Sequence, residues 1–494
     1  MFDRVFRSFG ALTLMSLLAA CAVGPDFTAP AAPHADAYVG QNAAAQNEPP
    51  PAPDLAFWRD LGDPQLTQLV DAALAANHDI RIALSRFDEA NALLGASKFD
   101  RYPTLSASGD AQTGRSSASQ LPGVSRSQRD GELFDTRLSA IWELDFFGRV
   151  RRSIESQRAE TEASASDLAA VQVGIVAELA DAYFQMRGVQ AQLMVARNNA
   201  SNQGDTLRLI DALLQNGRGT AFDSDRTQAQ LALTQARIPP LEAQAAVLAN
   251  RIAVLTGQTP ESLAVQLAQS APQIALPASV NAGVPGDLLR RRPDIAAAEQ
   301  RLHGATARIG VATADLFPRF TLGGLIGSQA LSVGALFGRD SEMRALTLGI
   351  DGSFLDVGRV RARIAGANAQ AAGAMASYER TVLRAMEETE NALVRLARSH
   401  EEREALTRAA QSSERAVNVA RVQFDAGAIG VLDVLSAERT RLDAEDQLVQ
   451  SRAREATSLI ALYKSLAGGW PQQLPAMASA DAVTAANAPK VSVD

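Results

Sequence analysis

Two hydrophobic rhythms take turns along this chain. Short runs repeat every second residue: Leu105-Ser106-Ala107-Ser108-Gly109-Asp110-Ala111, then Arg137-Leu138-Ser139-Ala140-Ile141-Trp142-Glu143-Leu144. Two further runs follow, Phe320-Thr321-Leu322-Gly323-Gly324-Leu325 and the segment from Leu346 to Phe354. Alternation of this kind predicts strands, and the polar, Ser- and Gly-rich stretches at 114–134 and 328–344 make each pair of runs a β-hairpin. After Gly148 the period lengthens. Leu168, Val171, Ile175, Ala182, Met186, Val189, Leu193, Ala196 and Ala200 recur in steps of three and four, the seam of a packed helix or coiled coil. No proline interrupts 149–214 or 359–470. A helix of about 66 residues is roughly 100 Å long at 1.5 Å per residue. Glycine clusters at Gly217-Arg218-Gly219 and Gly427-Ala428-Ile429-Gly430 end these runs, and the pattern predicts return helices over about 223–256 and 432–466.

The order of these elements occurs twice. Asn77-His78-Asp79-Ile80-Arg81-Ile82-Ala83 aligns with Arg292-Pro293-Asp294-Ile295-Ala296-Ala297-Ala298, and Phe99-Asp100-Arg101-Tyr102-Pro103 aligns with Ala314-Asp315-Leu316-Phe317-Pro318. Phe147-Gly148-Arg149-Val150-Arg151 matches Val357-Gly358-Arg359-Val360-Arg361, and Gly217 and Asp223 match Gly427 and Asp433. The punctuation residues agree in order over most of the chain, so we read a tandem duplication. The first repeat spans 61–275, with its helix at about 79–101, hairpin at about 104–145 and long helix pair at about 149–256. The second spans 276–470, with its helix at about 293–316, hairpin at about 319–355 and helix pair at about 359–466.

The ends follow other rules. Arg4 and Arg7 precede an apolar stretch from Phe9 to Ala20, too short for a bilayer-spanning helix but suited to a secretory signal. It closes on Leu18-Ala19-Ala20-Cys21, which resembles a bacterial lipobox and makes Cys21 the lipid attachment point after removal of residues 1–20. Ala22 stands where an aspartate would signal retention at the inner membrane, which favours outer-membrane sorting. Seven prolines between Pro25 and Pro53 make residues 21–60 an extended tether, and 471–494 lack apolar periodicity and read as a disordered tail.

Composition narrows the chemistry. With 47% apolar and 21% charged residues and a net charge of −8, the 494-residue chain fits neither a disordered protein nor a multi-pass helical membrane protein. Its acidic excess argues against binding nucleic acid by neutralising phosphates. The single Cys leaves no internal disulfide or Cys-built zinc site, and His34, His78, His303 and His400 lack metal-ligand spacing. Gly217-Arg218-Gly219 completes no phosphate-binding motif, and no nucleophile elbow is present. Arg290-Arg291-Arg292, at a helix start, reads as a source of local ion pairs. The expectation is a protein without catalytic residues, metal or cofactor, apart from the lipid on Cys21.

Runs of about ten residues are long enough for tilted transmembrane strands. Four strands cannot close a barrel, and an open edge is not tolerated in hydrocarbon, so closure requires several chains. Two copies would give eight strands, with a bore filled by side chains, and three would give twelve, wide enough for water. The competing reading is a structural lipoprotein, a coiled-coil tether without conduction.

Several segments carry a more specific signal. Cys21-Ala22-Val23-Gly24-Pro25-Asp26-Phe27, the run from Asp287 to Ile295, Ala314-Asp315-Leu316-Phe317-Pro318 and Ile238-Pro239-Pro240-Leu241-Glu242-Ala243-Gln244 resemble the TolC/OprM-like outer-membrane factors of tripartite efflux pumps, nearest their NodT-type lipoprotein branch. The resemblance covers the chain from Cys21 to about Gly469. It implies a mainly α fold with transmembrane β: a homotrimer whose twelve-stranded outer-membrane barrel continues into a periplasmic helical tunnel. It also implies a periplasmic adaptor, an inner-membrane transporter of the resistance-nodulation-division class and passive export of small molecules such as drugs. The segment from Phe424 to Ser436 resembles the family's closed periplasmic entrance. Asp433 falls on a family aspartate, Ser436 stands where a second aspartate is common, and Ile429 stands where some members have an arginine. Their first-repeat counterparts are Arg218, Asp223, Asp225 and Arg226, expected to supply inter-helix ion pairs.

Overall fold

The computed structural model describes residues 22–31, 38–39, 56–268 and 291–467. The signal segment, Cys21, most of the tether, Arg290 and the C-terminal tail lie outside the described residues. In chain order the elements are α1 (Phe57–Asp60), α2 (Pro64–Ala76), α3 (His78–Phe99), β1 (Thr104–Arg115), β2 (Asp130–Leu144), α4 (Arg149–Gln215), α5 (Ala221–Gln235), α6 (Ile238–Leu255) and α7 (Pro260–Ala268). After these come α8 (Pro293–Ala314), β3 (Arg319–Ala330), β4 (Glu342–Asp351), α9 (Val357–Asp425) and α10 (Val431–Ser465). Helix, hairpin, long helix and return helix thus occur twice. Pro103 and Pro318, which lack an amide donor, separate α3 and α8 from the strands that follow.

The return helix expected over 223–256 is in fact two. It breaks at Ala236 and Arg237, and α6 restarts at Ile238 with proline in its first turn. Pro239 and Pro240 cannot donate to the preceding turn, so one helix cannot run through them.

The chain divides into two compact units. The first comprises residues 1–31, 87–164 and 297–378, and the second 32–86, 165–296 and 379–494. In the first unit the strands form one antiparallel sheet in the order β1-β2-β3-β4. The registers Asp110↔Asp135, Asp135↔Gln329 and Leu325↔Ala345 fix which side chains share a face. With alternate residues on opposite faces, one face carries Ser106, Ser108, Asp110, Arg137, Ser139 and Thr347. The other carries Leu105, Leu138, Trp142, Leu322, Ile326, Leu346 and Leu348. Every residue of β1 is exposed, and so are Leu138, Ile326, Leu346 and Leu348.

Residues 22–27 lie along this unit as a strap. The Val23 amide donates to the Phe147 carbonyl at 3.1 Å. Buried Arg152 donates to Asp26 at 2.6 Å and to Glu155 at 2.9 Å. The Phe27 ring stacks on His303 at 4.5 Å, and His303 Nε2 meets Glu155 at 3.0 Å. A Cβ on Gly24 would come within 2.5 Å of the Gly310 Cα, so this approach requires glycine. Burial pushes the Glu155 carboxyl up, but His303 and Arg152 outweigh it and hold it below the usual carboxylate range.

The second unit has a continuous hydrophobic core built from Phe57, Trp58, Leu66, Val70, Val176, Leu179, Tyr183, Met186, Ile252, Leu459 and Leu462. One stretch of α4 is long and apolar enough to cross a membrane, but 56% of it is buried within the protein, as a core helix requires. Tyr183 donates to Asp63 at 2.5 Å while the same carboxylate caps α2 through the Gln65 and Leu66 amides. Burial, reinforced by Asp63, pushes the Tyr183 phenol up to about 12. Arg292 meets Asp294 at 2.7 Å and Glu388 at 2.8 Å, in line with the local pairing expected of the arginine run. Burial works against the Arg292 guanidinium, and Asp294 and Glu388 more than compensate, so it is held above its ordinary range.

Candidate functional site

The glycine clusters that end α4 and α9 fold into the same backbone device. Gly217 has φ +66° and Gly427 φ +73°, the left-handed region where a side chain is costly. In the first turn the Gly217 amide donates to Leu214 at 3.0 Å and Arg218 to Leu213 at 2.8 Å. In the second, Gly427 donates to Phe424 at 2.9 Å and Ala428 to Gln423 at 2.8 Å. These paired bonds are a Schellman motif, which satisfies the last carbonyls of a helix and turns the chain back.

Beyond the shared backbone the two turns differ in chemistry. Thr220 caps α5: its hydroxyl accepts from the Asp223 amide at 3.2 Å and donates to the Asp223 carboxylate at 2.5 Å. Ser224 then reaches back to Asp211 on α4 at 2.5 Å. In the second turn Gly430 has no side chain to offer, and Asp433 accepts from the Gly430 amide at 3.2 Å. A carboxylate there also suits the positive end of α10.

The structure brings Ile429 and Asp433 together on one groove, which α9 completes with Ser412, Arg415, Val419 and Gln423. Ile429 and Phe424 are half-buried, and Asp433 and Ser436 are exposed. Ser436 lies outside that groove; its carbonyl accepts from Thr440 at 3.1 Å. Arg218, Asp225 and Arg226 are exposed and form no ion pair among the described residues. Among the described residues, therefore, none of these three charges makes the expected inter-helix ion pair. Asp223 folds onto its own cap, and the uncharged Ser224 makes the link to α4.

The charged contacts that do join neighbouring helices were not anticipated. Glu438 is buried and accepts from Arg421 at 2.8 Å. Glu455 is buried between His400 at 2.8 Å and Arg403 at 2.6 Å, so two such contacts tie α10 to α9. Arg251 on α6 donates to Glu178 on α4 at 2.8 Å. The signal was present in the sequence: Val434, Glu438 and Leu442 follow one another by four, so an acid occupies a seam position. A carboxylate buried there has to be paired, because an unpaired charge is strongly destabilising.

A family model described as "Outer membrane efflux protein" matches residues 69–258 and 284–468. The chain is 32% identical to the pyoverdine export outer membrane protein OpmQ of Pseudomonas putida over 430 residues, 86% of this chain and 90% of that protein. It is 30% identical to nodulation protein T of Rhizobium leguminosarum bv. viciae over 483 residues, 97% of each. Among solved structures, the outer-membrane channel OprN superposes with a TM-score of 0.84 at 38% identity, covering 91% of this chain and all of that one.

Proposed function

The chain belongs to the outer membrane efflux protein family, and from that premise we propose how its parts carry out export. It is an outer-membrane efflux channel and not an enzyme. Three copies join their sheets through the free edges of β1 and β4 into a twelve-stranded barrel. The observation that carries this reading is the bias between the two faces of the sheet: Leu105, Leu138, Leu346 and Leu348 lie on one side, and Ser106, Asp110, Arg137 and Thr347 on the other, interspersed with Ile141 and Leu325. The first face suits hydrocarbon and the second a hydrated bore. Eight strands would fill their interior with side chains and leave the charged residues without water, whereas twelve leave room for it.

The long helices of the three copies extend the bore into the periplasm, and the α4–α5 and α9–α10 turns stand at its mouth. Asp433, with Ile429, Phe424 and Ser436, forms the constriction, and Asp223, Asp225, Arg218 and Arg226 flank it. A ring of like charges repels itself, attracts cations and responds to any change in helix spacing. A periplasmic adaptor and an inner-membrane transporter of the resistance-nodulation-division class favour the widened arrangement and supply the driving force. The cargo is a small molecule, such as a drug, handed over by that transporter. Cys21 carries the lipid that holds the strap at the membrane.

Single-channel recording in planar bilayers tests the gate. Asp433→Asn keeps an acceptor for the Gly430 amide and removes the charge, so longer openings and weaker cation preference are expected. Unchanged opening and selectivity would overturn the gate assignment, and no conductance from the unaltered protein would overturn the pore.

A further inference from the structure

At the end of the sheet where β2 passes into α4, the first unit holds a polar cavity of about 310 Å³ lined by Arg101, Arg151, Arg158, Glu155, Glu162 and His303. That volume falls at the lower end of the roughly 300–1,000 Å³ that small-molecule sites occupy. Its charges do not cancel locally. Arg151 is held by Asp145 at 3.3 Å, and Glu155 by Arg152 and His303. Arg101 and Arg158 have no side-chain partner among the described residues. These two guanidinium groups, one from the α3–β1 turn and one from α4, line the same cavity and offer forked donors suited to a phosphate. Two carboxylates, Glu155 and Glu162, line the same cavity, so a purely anionic ligand is less favoured there than one that also carries a cation.

Two independent features locate the cavity. Trp142, on the apolar face of β2, donates its indole N–H to the Arg101 carbonyl at 2.9 Å, and Phe99 and Tyr102 are exposed beside it. Exposed aromatic side chains at the end of transmembrane strands sit at the level of lipid headgroups. The strap supplies the second: Glu155 and His303 line the cavity and also hold the strap, through Arg152 and Phe27 respectively. The wall on which the strap lies is thus also the wall of the cavity.

We propose that this cavity binds the phosphoethanolamine headgroup of a phospholipid in the periplasmic leaflet of the outer membrane. Arg101 and Arg158 hold the phosphate, and Glu155 and Glu162 face the ammonium. The inference rests on the reading of the sheet as part of an outer-membrane barrel. A phosphoethanolamine free in solution has the same charges, but the belt of Trp142, Tyr102 and Phe99 places the site where the acyl chains of a lipid find hydrocarbon.

Native mass spectrometry of the full-length protein in detergent tests this, after incubation with phosphatidylethanolamine, with phosphatidylglycerol of the same acyl chains, or with soluble phosphoethanolamine. The unaltered protein should retain phosphatidylethanolamine in preference to phosphatidylglycerol. Arg101→Gln with Arg158→Gln should lower retention by about tenfold or more, the loss expected when charge-assisted hydrogen bonds to a phosphate are removed. Equal retention of the two lipids, or equal retention by the double variant, would overturn the proposal. Displacement of the lipid by soluble phosphoethanolamine at equal concentration would overturn the lipid as occupant. Should the double variant fail to assemble, Arg101→Lys and Arg158→Lys keep the charge and lose the fork. Partial loss of retention in these would support the site, and full retention would overturn it. Conductance of the same samples separates the two readings. A conducting protein that retains no lipid overturns this inference alone, and a lipid-bound protein that does not conduct overturns the channel alone.

Discussion

The sheet of the first unit and the helical core of the second solve the same problem in opposite ways. In the second unit, Leu66, Val70, Val176, Leu179 and Tyr183 are withdrawn from water by their own chain. In the first, Leu138, Ile326, Leu346 and Leu348 are left uncovered, and among the described residues neither β1 nor β4 pairs with a further strand at its outer edge. Burial of apolar surface stabilises a fold only where something covers it. The helical unit therefore carries its stability within one chain, while the sheet depends on lipid and on further copies of itself. The duplicated sequence thus serves two solvents, and the change from one hydrophobic period to the other marks where each applies.

The largest expected effect tests that contrast directly. Leu179 is fully buried, and Leu179→Ala should cost about 2–5 kcal/mol as transfer and cavity terms combine. Leu348 is 63% exposed, so Leu348→Ala should hardly change the thermal unfolding of the helices in detergent. Equal losses by circular dichroism would break the comparison. Next in size, Leu348→Arg should cost about 2–4 kcal/mol near the bilayer midplane and abolish the heat-modifiable trimer in membranes. Ser106→Arg, on the polar face, should insert normally; failure of both would mean that the faces are wrongly assigned.

Within the helical unit, Tyr183→Phe removes the hydrogen bond to Asp63 and should cost about 1–3 kcal/mol at neutral pH. It should also alter the alkaline limb. The folded protein keeps the Tyr183 proton up to about 12, whereas the unfolded chain gives it up near the ordinary tyrosine value of 10.0. Between those values the native state binds more protons, so stability falls as pH rises, and the Phe variant should lose that part of the slope in denaturant titrations. Smallest is the cap: Thr220→Ala should cost about 1 kcal/mol, while Gly430→Ala, at φ −83°, should cost less, as measured by thermal unfolding.

Much of this arrangement was legible in the sequence because it is local. Alternation placed all four strands, and Pro103 and Pro318 marked the helix ends before them. Gly217 and Gly427 marked turns that need a left-handed residue. Other features depend on what meets what. The apolar period carries on past Pro239 and Pro240, so it hides the break between α5 and α6. Asp433 was legible as an acid near a turn, but its bond to the Gly430 amide depends on backbone geometry. Glu438 and Glu455 interrupt a seam visibly, yet Arg421, His400 and Arg403 become their partners only once α9 and α10 lie side by side. Nothing in the residues around Phe27 points to His303, because that stack exists only after the strap is laid across α8.

The strap also has a mechanical meaning. A pull on residue 22 meets fastenings of different kinds in series: a backbone hydrogen bond from Val23, an ion pair from Asp26 and a ring stack from Phe27. Each is anchored on the strand-to-helix junction or on the helices that follow, not on the sheet. Tension applied at the N-terminal end is therefore dissipated as shear against α4 and α8 before it can load the hydrogen-bond ladder of the strands. In effect, the strap works as strain relief for the barrel wall.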